Sequence, residues 1–342
     1  MSEEPRLAII LGAGASYDCV GDLGGGELRY LVKQEDSRPP IVSSMFRSKA
    51  FSQFLNGHRE AADILNAIRA EISQGTPFEV ALRSRCDSDN QYIRSKMRFV
   101  PRALQQFFWR VSVDYTDQPA NYQRLAEQTV GRGITTAFVT LNYDTILDNV
   151  LFRYRPWPQE PPAMGSYISS PDWLLIKLHG SVDWGYPLSA RGGLTDTDLA
   201  TQEFQERSRE EVQLIDNPQD LRHGPWAALP ALALPIDGKY GFVCPPSHEK
   251  ILTDYLQECK NFLFVGFGAR DRDLLDLLSG NVTTVRRLWV VTGPNDQSDV
   301  MTNLYSIAQF RGSLESFQHA YTSFTDFVRH GLNTLATQVL SD

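Results

Sequence analysis

The chain has 342 residues, is 42% hydrophobic and carries a formal net charge of −8 at pH 7. That size suits one large domain with a full core, and the acidic balance argues against direct nucleic-acid binding, which needs a basic surface. No apolar run approaches the ~20 residues of a membrane span, and the opening Met1-Ser2-Glu3-Glu4 lacks a signal-peptide apolar stretch, so a cytoplasmic location is expected.

The first predicted element is a buried strand, Leu7–Leu11, running straight into Gly12-Ala13-Gly14-Ala15-Ser16. Glycines in such a turn let backbone N–H groups approach a phosphate that side chains would keep away. Tyr17 stands where the dinucleotide fingerprint G-x-G-x-x-G has its third glycine. The turn therefore reads equally as a phosphate loop or as a plain connection. More than a hundred residues separate this strand from the next. Within them Ala61, Ile64, Leu65, Ile68 and Ile72 recur at helical spacing, as do Leu104, Phe107, Phe108 and Val111. One crossover helix would be far shorter, so residues about 50–132 are read as a helical insertion.

The next strand, Ala137–Leu141, leads into Asn142-Tyr143-Asp144. Two apart on an extended segment, Asn142 and Asp144 point the same way. Together they suit a ribose hydroxyl, a water or a carboxamide. Asp144 also suits a cap on the helix Thr145–Leu151, and its position alone favours the cap. Strand Leu174–Leu178 leads into His179-Gly180-Ser181. A histidine, with its ordinary pKa near neutrality, can take a proton from a hydroxyl or water. A structural histidine at a strand end is the competing reading. Residues about 186–239 mix charge, proline and glycine, and read as an irregular lid or contact region.

Strand Phe262–Val265 leads into Gly266-Phe267-Gly268-Ala269-Arg270-Asp271, where Asp271 or Asp273 can cap the helix Leu274–Leu278. A fifth strand is Leu288–Thr292, and Ser323–Leu332 reads as a capped terminal helix. Nearly continuous apolar strands are those of a parallel sheet covered on both faces. The expected fold is thus α/β, a Rossmann-like doubly wound parallel sheet with a helical insertion, in a single domain spanning 1–342. In such sheets ligands bind outside the carboxyl ends of the strands. Four strands here deliver polar or glycine residues to that edge. The four cysteines, Cys19, Cys86, Cys244 and Cys259, form no C-x-x-C pair, which excludes a zinc ribbon of ordinary spacing.

Taken in order, Gly12-Ala13-Gly14-Ala15-Ser16, Asn142-Tyr143-Asp144, Leu178-His179-Gly180-Ser181 and Gly266-Phe267-Gly268 resemble the NAD-binding core of sirtuins. They are more closely similar to the sirtuin-like effector domains of bacterial antiphage defence. The resemblance covers the strands and their edges, about half the chain, and implies NAD as the ligand. It implies that Gly12, Ala13, Gly14 and Ser16 line the pyrophosphate. Asn142 would hold the nicotinamide ribose or the attacking water, Asp144 the carboxamide, and His179 would be the catalytic histidine. Gly266 and Gly268 would contact phosphate and ribose, and Asn295 the adenosine ribose.

Two departures bear on the activity. Protein-deacylating sirtuins carry a zinc ribbon, whose cysteine pairs are missing from this sequence, so no zinc is expected. They also follow the first glycine turn with a Pro-Asp-Phe-Arg type segment, where this chain reads Val20-Gly21-Asp22-Leu23-Gly24-Gly25-Gly26. Both favour an NAD+ hydrolase, releasing nicotinamide and ADP-ribose, that serves as an abortive-infection effector in antiphage defence. A protein deacylase and a non-catalytic NAD or ADP-ribose sensor are the alternatives. The resemblance also implies a homo-oligomer and a regulatory partner, a HerA-type ATPase first and a short Argonaute second. Membrane attachment is not expected.

Overall fold

The computed structural model describes residues 4–21, 38–117, 119–154, 163–188, 193–202, 207–215, 227–234, 241–293, 296–311, 317–318 and 321–341. Strand β1 (Arg6–Leu11) passes into a five-residue helix, α1 (Ala13–Tyr17). The insertion then contributes α2 (Val42–Met45), α3 (Lys49–Leu55), α4 (Arg59–Ser73), α5 (Phe78–Cys86), α6 (Gln91–Met97), α7 (Val100–Tyr115) and α8 (Ala120–Gln128). After it come β2 (Thr135–Thr140), α9 (Ile146–Leu151), β3 (Trp173–Lys177), β4 (Gly180–Pro187), α10 (Asp196–Gln202), β5 (Gln213–Leu214) and β6 (Ala228–Leu232). The chain continues through α11 (Pro246–Glu258), β7 (Asn261–Val265), α12 (Arg272–Asn281), β8 (Arg287–Val291), α13 (Gln297–Leu304), α14 (Ala308–Arg311), β9 (Phe317–Gln318), α15 (Phe324–His330) and α16 (Leu332–Leu340).

The large sheet runs β3-β2-β1-β7-β8-β9, with every pairing parallel. This is the doubly wound order, and it reverses between β1 and β7. Each expected strand forms within one or two residues of its predicted bounds, because strands covered on both faces are unbroken apolar runs. The register aligns the strand ends: Leu11 pairs with Thr140 and Val265, Thr140 with Lys177, and Val265 with Val291. The turns beginning at Gly12, Leu141, Leu178 and Gly266 therefore leave the sheet at one level.

The insertion starts earlier than predicted, at α2, and α2 to α7 share a core of their own, while Tyr122, Leu125 and Ala126 of α8 join the core around the sheet. Phe46, Phe51, Phe54, Leu65, Leu82, Leu104 and Phe107 cluster apart from the core around the sheet. Phe51 and Phe107 meet edge to face, with ring centroids 4.8 Å apart. Polar side chains tie α7 to the rest: the Ser112 hydroxyl accepts from the Thr145 N–H (3.0 Å). The buried Gln105 donates from Nε2 to the carbonyls of Val182 (3.0 Å) and Trp184 (3.2 Å) on β4.

The stretch expected to be irregular needs correction. In its described part, together with the residues just before it, β4, β5 and β6 form a three-stranded antiparallel sheet. The sequence hides it for physical reasons. β5 is two residues long, β6 contains Pro230, and the β4–β6 register shifts between Gly180 and Gly185. None of these leaves an alternating pattern. The predicted terminal helix is also shorter than expected. Ser323 caps α15 by accepting from the Asp326 N–H (3.0 Å), but the helix stops at His330 and α16 follows Gly331. Among the described residues no helix is long and apolar enough to cross a membrane.

Candidate functional site

The first two glycines of the β1 turn are packed against the β7 turn. A Cβ on Gly12 would overlap the Gly266 carbonyl oxygen, and one on Gly14 would stand 2.8 Å from the Gly266 Cα. Gly266 sits at φ +57°, and a Cβ there would overlap the backbone of Gly14 and Ala15. The Gly12 N–H donates to the Val265 carbonyl and the Gly14 N–H to the Gly266 carbonyl, each at 3.1 Å. Three glycines thus allow two adjacent strand-end turns to touch at the point where the strand order reverses. The Ala13 N–H has no partner among the described residues. Gly268 differs, since no atom lies within 4 Å of where its Cβ would stand.

Ser16 is the polar centre of this wall. Its buried hydroxyl donates to Asp144 Oδ2 (2.8 Å) and meets the Tyr122 hydroxyl (3.0 Å), while Asn142 Nδ2 donates to it (2.9 Å). One donor and two lone pairs are then all in use. Asn142 Nδ2 also donates to the Gly12 carbonyl (2.9 Å), and among the described residues Asn142 Oδ1 is left as an open acceptor. Asp144 accepts from the Ile146 N–H (3.2 Å) at the start of α9, so the capping role read from the sequence is present. Burial pushes the Asp144 carboxyl above its usual range, against the opposing pull of Lys177 and the Ser16 hydroxyl.

Beneath this loop lies a buried ion pair. Lys177, the last residue of β3, is fully buried. Its Nζ donates to the Asp144 carbonyl (2.5 Å) and to both oxygens of Asp148 (3.1 and 3.0 Å). Asp148 also accepts from the Tyr167 hydroxyl (2.9 Å), which lies 3.4 Å from Asp183 Oδ2. Burial, then the neighbouring Asp148 charge, pushes the Asp183 carboxyl up to about 6.

His179 lies in the two-residue link between β3 and β4. Gly180 after it has φ +82°, and a Cβ there would overlap the Ala231 carbonyl on β6. The His179 carbonyl accepts from the Ala233 N–H (2.9 Å), and the Ala233 carbonyl accepts from the Tyr143 hydroxyl (2.5 Å). The Tyr143 carbonyl in turn accepts from the Val182 N–H (2.9 Å) and the Ser181 hydroxyl (3.3 Å). These bonds lock the Asn142–Asp144 loop to the His179–Ser181 loop. The His179 ring makes one contact, Nε2 to Asp271 Oδ2 at 2.9 Å, and Nδ1 has no partner among the described residues. Burial would raise the Asp271 carboxyl, but the bond to His179 outweighs it and holds that carboxyl below its ordinary value.

The structure therefore gathers Gly12, Ala13, Gly14, Ser16, Asn142, Asp144 and Gly266 into one wall and places His179 beside it, with Gly268 on the connecting β7 turn. Asn295 lies outside the described residues. Three participants escaped the sequence reading. Asp271 was read only as a cap, which it is: its Oδ1 accepts from the Leu274 N–H at 2.8 Å. Tyr122 carried no signal, being an aromatic residue on an amphipathic helix. Lys177 did carry one, as a lone charge inside an apolar strand. A cavity of about 460 Å³ lies elsewhere, between α3 and α7, and shares no lining residue with this wall. Among the described residues no three His, Cys, Asp or Glu side chains are grouped to hold a metal ion.

Residues 136–305 match the model of the SIR2-like domain. The match runs from β2 through α13 and includes Asn142, Asp144, His179, Gly266 and Gly268, but not the first glycine turn. Among solved structures, a Sir2 enzyme is 13% identical with a TM-score of 0.42, over 99% of this chain and 95% of that one. Sir2Af2 bound to a myristoylated histone peptide is 13% identical with a TM-score of 0.40, over 98% and 92%. A Sir2 homologue in complex with NAD is 11% identical with a TM-score of 0.40, over 99% and 91%. No curated protein matches the chain by sequence.

Proposed function

We propose that the protein hydrolyses NAD+ to nicotinamide and ADP-ribose. The observation that carries this reading is a histidine with an open ring nitrogen, locked through Tyr143 to the Asn142 loop on aligned strand ends of a SIR2-like domain. In the reaction the bond between the sugar carbon and the nicotinamide nitrogen breaks, and its electron pair leaves with neutral nicotinamide. A water oxygen bonds to the same carbon and gives a proton to His179 Nδ1, which passes it to solvent. Asn142 Oδ1 is the acceptor available to orient that water. Fixing the water against the sugar supplies much of the rate.

The β1 wall fits a phosphate-bearing substrate in a specific way. The Ser16 hydroxyl has no hydrogen-bonding capacity to spare, so the donors this turn offers are backbone N–H groups, that of Ala13 among them. Gly268, which packing does not require to be glycine, supports close approach of a ligand to the β7 turn. Unregulated loss of NAD+ would harm its host. The proposal therefore extends to an abortive-infection effector controlled by a partner, of which a HerA-type ATPase is the first candidate.

The test is to incubate the protein with NAD+, alone, with an acetyl-lysine peptide and with the candidate partner, and to identify products by mass spectrometry. Nicotinamide and ADP-ribose without peptide are expected, with Asn142→Ala and His179→Ala each at least about 100-fold slower. Wild-type rates in both variants, or NAD+ consumption only with the peptide, would overturn the reading. Thermal stabilisation by NAD+ without product would instead indicate a sensor.

A further inference from the structure

We infer that Asp271 is a positioning residue that fixes the tautomer and orientation of His179, so that Nδ1 is the nitrogen that accepts the proton. As a statement about catalysis this rests on the hydrolase reading. As a statement about His179 it stands on the geometry alone.

A carboxylate only accepts hydrogen bonds, and Asp271 Oδ2 lies 2.9 Å from His179 Nε2. Nε2 must then carry a hydrogen, and in the neutral ring the lone pair is on Nδ1. The other carboxylate oxygen, Oδ1, is held by the Leu274 N–H at 2.8 Å, where Asp271 caps the ten-residue helix α12. One side chain is therefore gripped at both oxygens, and the capping bond decides which of them faces the histidine.

The backbone leading to Asp271 is also unusual. Between β7 and α12 the chain takes up left-handed conformation twice, at Gly266 (φ +57°) and at Ala269 (φ +50°). A residue with a Cβ in that region costs on the order of 1 kcal/mol and persists where its surroundings hold it. Ala269 is fully buried, so its surroundings do hold it. These two turns bring the chain from the glycine contact with β1 to the histidine after β3. His179 is fixed from its own side by Gly180 and by the Ala233 N–H. Both side chains are largely shielded, with 16% of His179 and 18% of Asp271 exposed, so water competes weakly for the bond.

Asp271→Asn separates positioning from capping. Asparagine is as good a helix cap as aspartate. With its Oδ1 retained by the Leu274 N–H, the amide presents its NH2 to Nε2. That donor forces the histidine hydrogen onto Nδ1 and removes the open base. Asp271→Ser keeps a capping oxygen but cannot reach the ring. The histidine tautomers are read by nitrogen-15 NMR on the full-length protein without NAD+, and nicotinamide release is read on the same samples.

Read at a pH raised until the ring is neutral, the expected NMR result is an Nε2-protonated His179 in the wild type and an Nδ1-protonated ring in Asp271→Asn. Both variants should keep the wild-type thermal midpoint within a few degrees. The kcat of Asp271→Asn should fall at least about 100-fold while KM changes less than about threefold. An Nδ1-protonated wild type, or an active enzyme in which Asp271→Asn keeps full kcat, overturns the inference. A wild type that releases no nicotinamide in any arm overturns the hydrolase reading instead, and the tautomer result then decides the inference about His179.

Discussion

On the β1 side of the strand edge, Ser16 makes three internal hydrogen bonds and Gly12, Gly14 and Gly266 touch one another. On the β3 side, the His179 ring makes one hydrogen bond and leaves Nδ1 open. The same edge therefore has a wall in which the glycines and the Ser16 hydroxyl are used for holding, and a wall whose histidine nitrogen is free for chemistry. Changes to the first should act on folding, and changes to the second on turnover at constant stability.

The strongest way to break the contrast is Gly266→Ala. The added Cβ meets the Gly14–Ala15 backbone, and the residue is held in left-handed conformation. A loss of more than about 3 kcal/mol is expected, or no soluble protein. Gly268→Ala, with open space at its Cβ, is the control and should change the urea midpoint little. Equal midpoints for the two variants would mean that the glycine contact is not a frame.

The next largest effect is expected beneath the walls, at Lys177. Replacing it with methionine leaves Asp148 buried without its cation, which costs about 3–5 kcal/mol in measured cases of this kind. Lys177→Met should therefore lower stability strongly, and chemical denaturation checks this. A variant as stable as wild type would show that the ion pair does not hold the Asn142–Asp144 loop.

The smallest effect has a defined sign. Asp183 ionises at about 6 in the folded protein against its ordinary 3.8. Over that window the unfolded chain loses its proton first, so this group's contribution to stability falls as pH rises and is fully present only below the window. Asp183→Asn removes the penalty. It should stabilise the protein at pH 7, with the gain vanishing near pH 4, as followed by denaturation at a series of pH values. His248, lowered to about 4 by burial, contributes the opposite slope in both proteins and cancels in the comparison. A gain that grows towards acid would refute the assignment.

Much of this site was legible before the fold was known. The four strand ends were readable because a strand buried on both faces must be an unbroken apolar run. Asn142, His179 and Gly266 stand out as the polar or glycine residues that end such runs. The small sheet of β4, β5 and β6 was not readable, because Pro230 and the register shift near Gly185 erase any alternation. The role of Ser16 was not readable either, since its partners Tyr122, Asn142 and Asp144 come from three separate segments.

The sequence by itself determined five of the six segments that enter the large sheet and the residues that end them, because burial of apolar runs is a local and additive property. The tertiary structure alone decided what those residues do. Whether Asp271 only caps a helix or also aims a histidine depends on the 2.9 Å between groups on two different strand-end loops. A hydrogen bond requires both partners within a few tenths of an ångström, and only the strand register and the left-handed turns of the β7 loop set that distance.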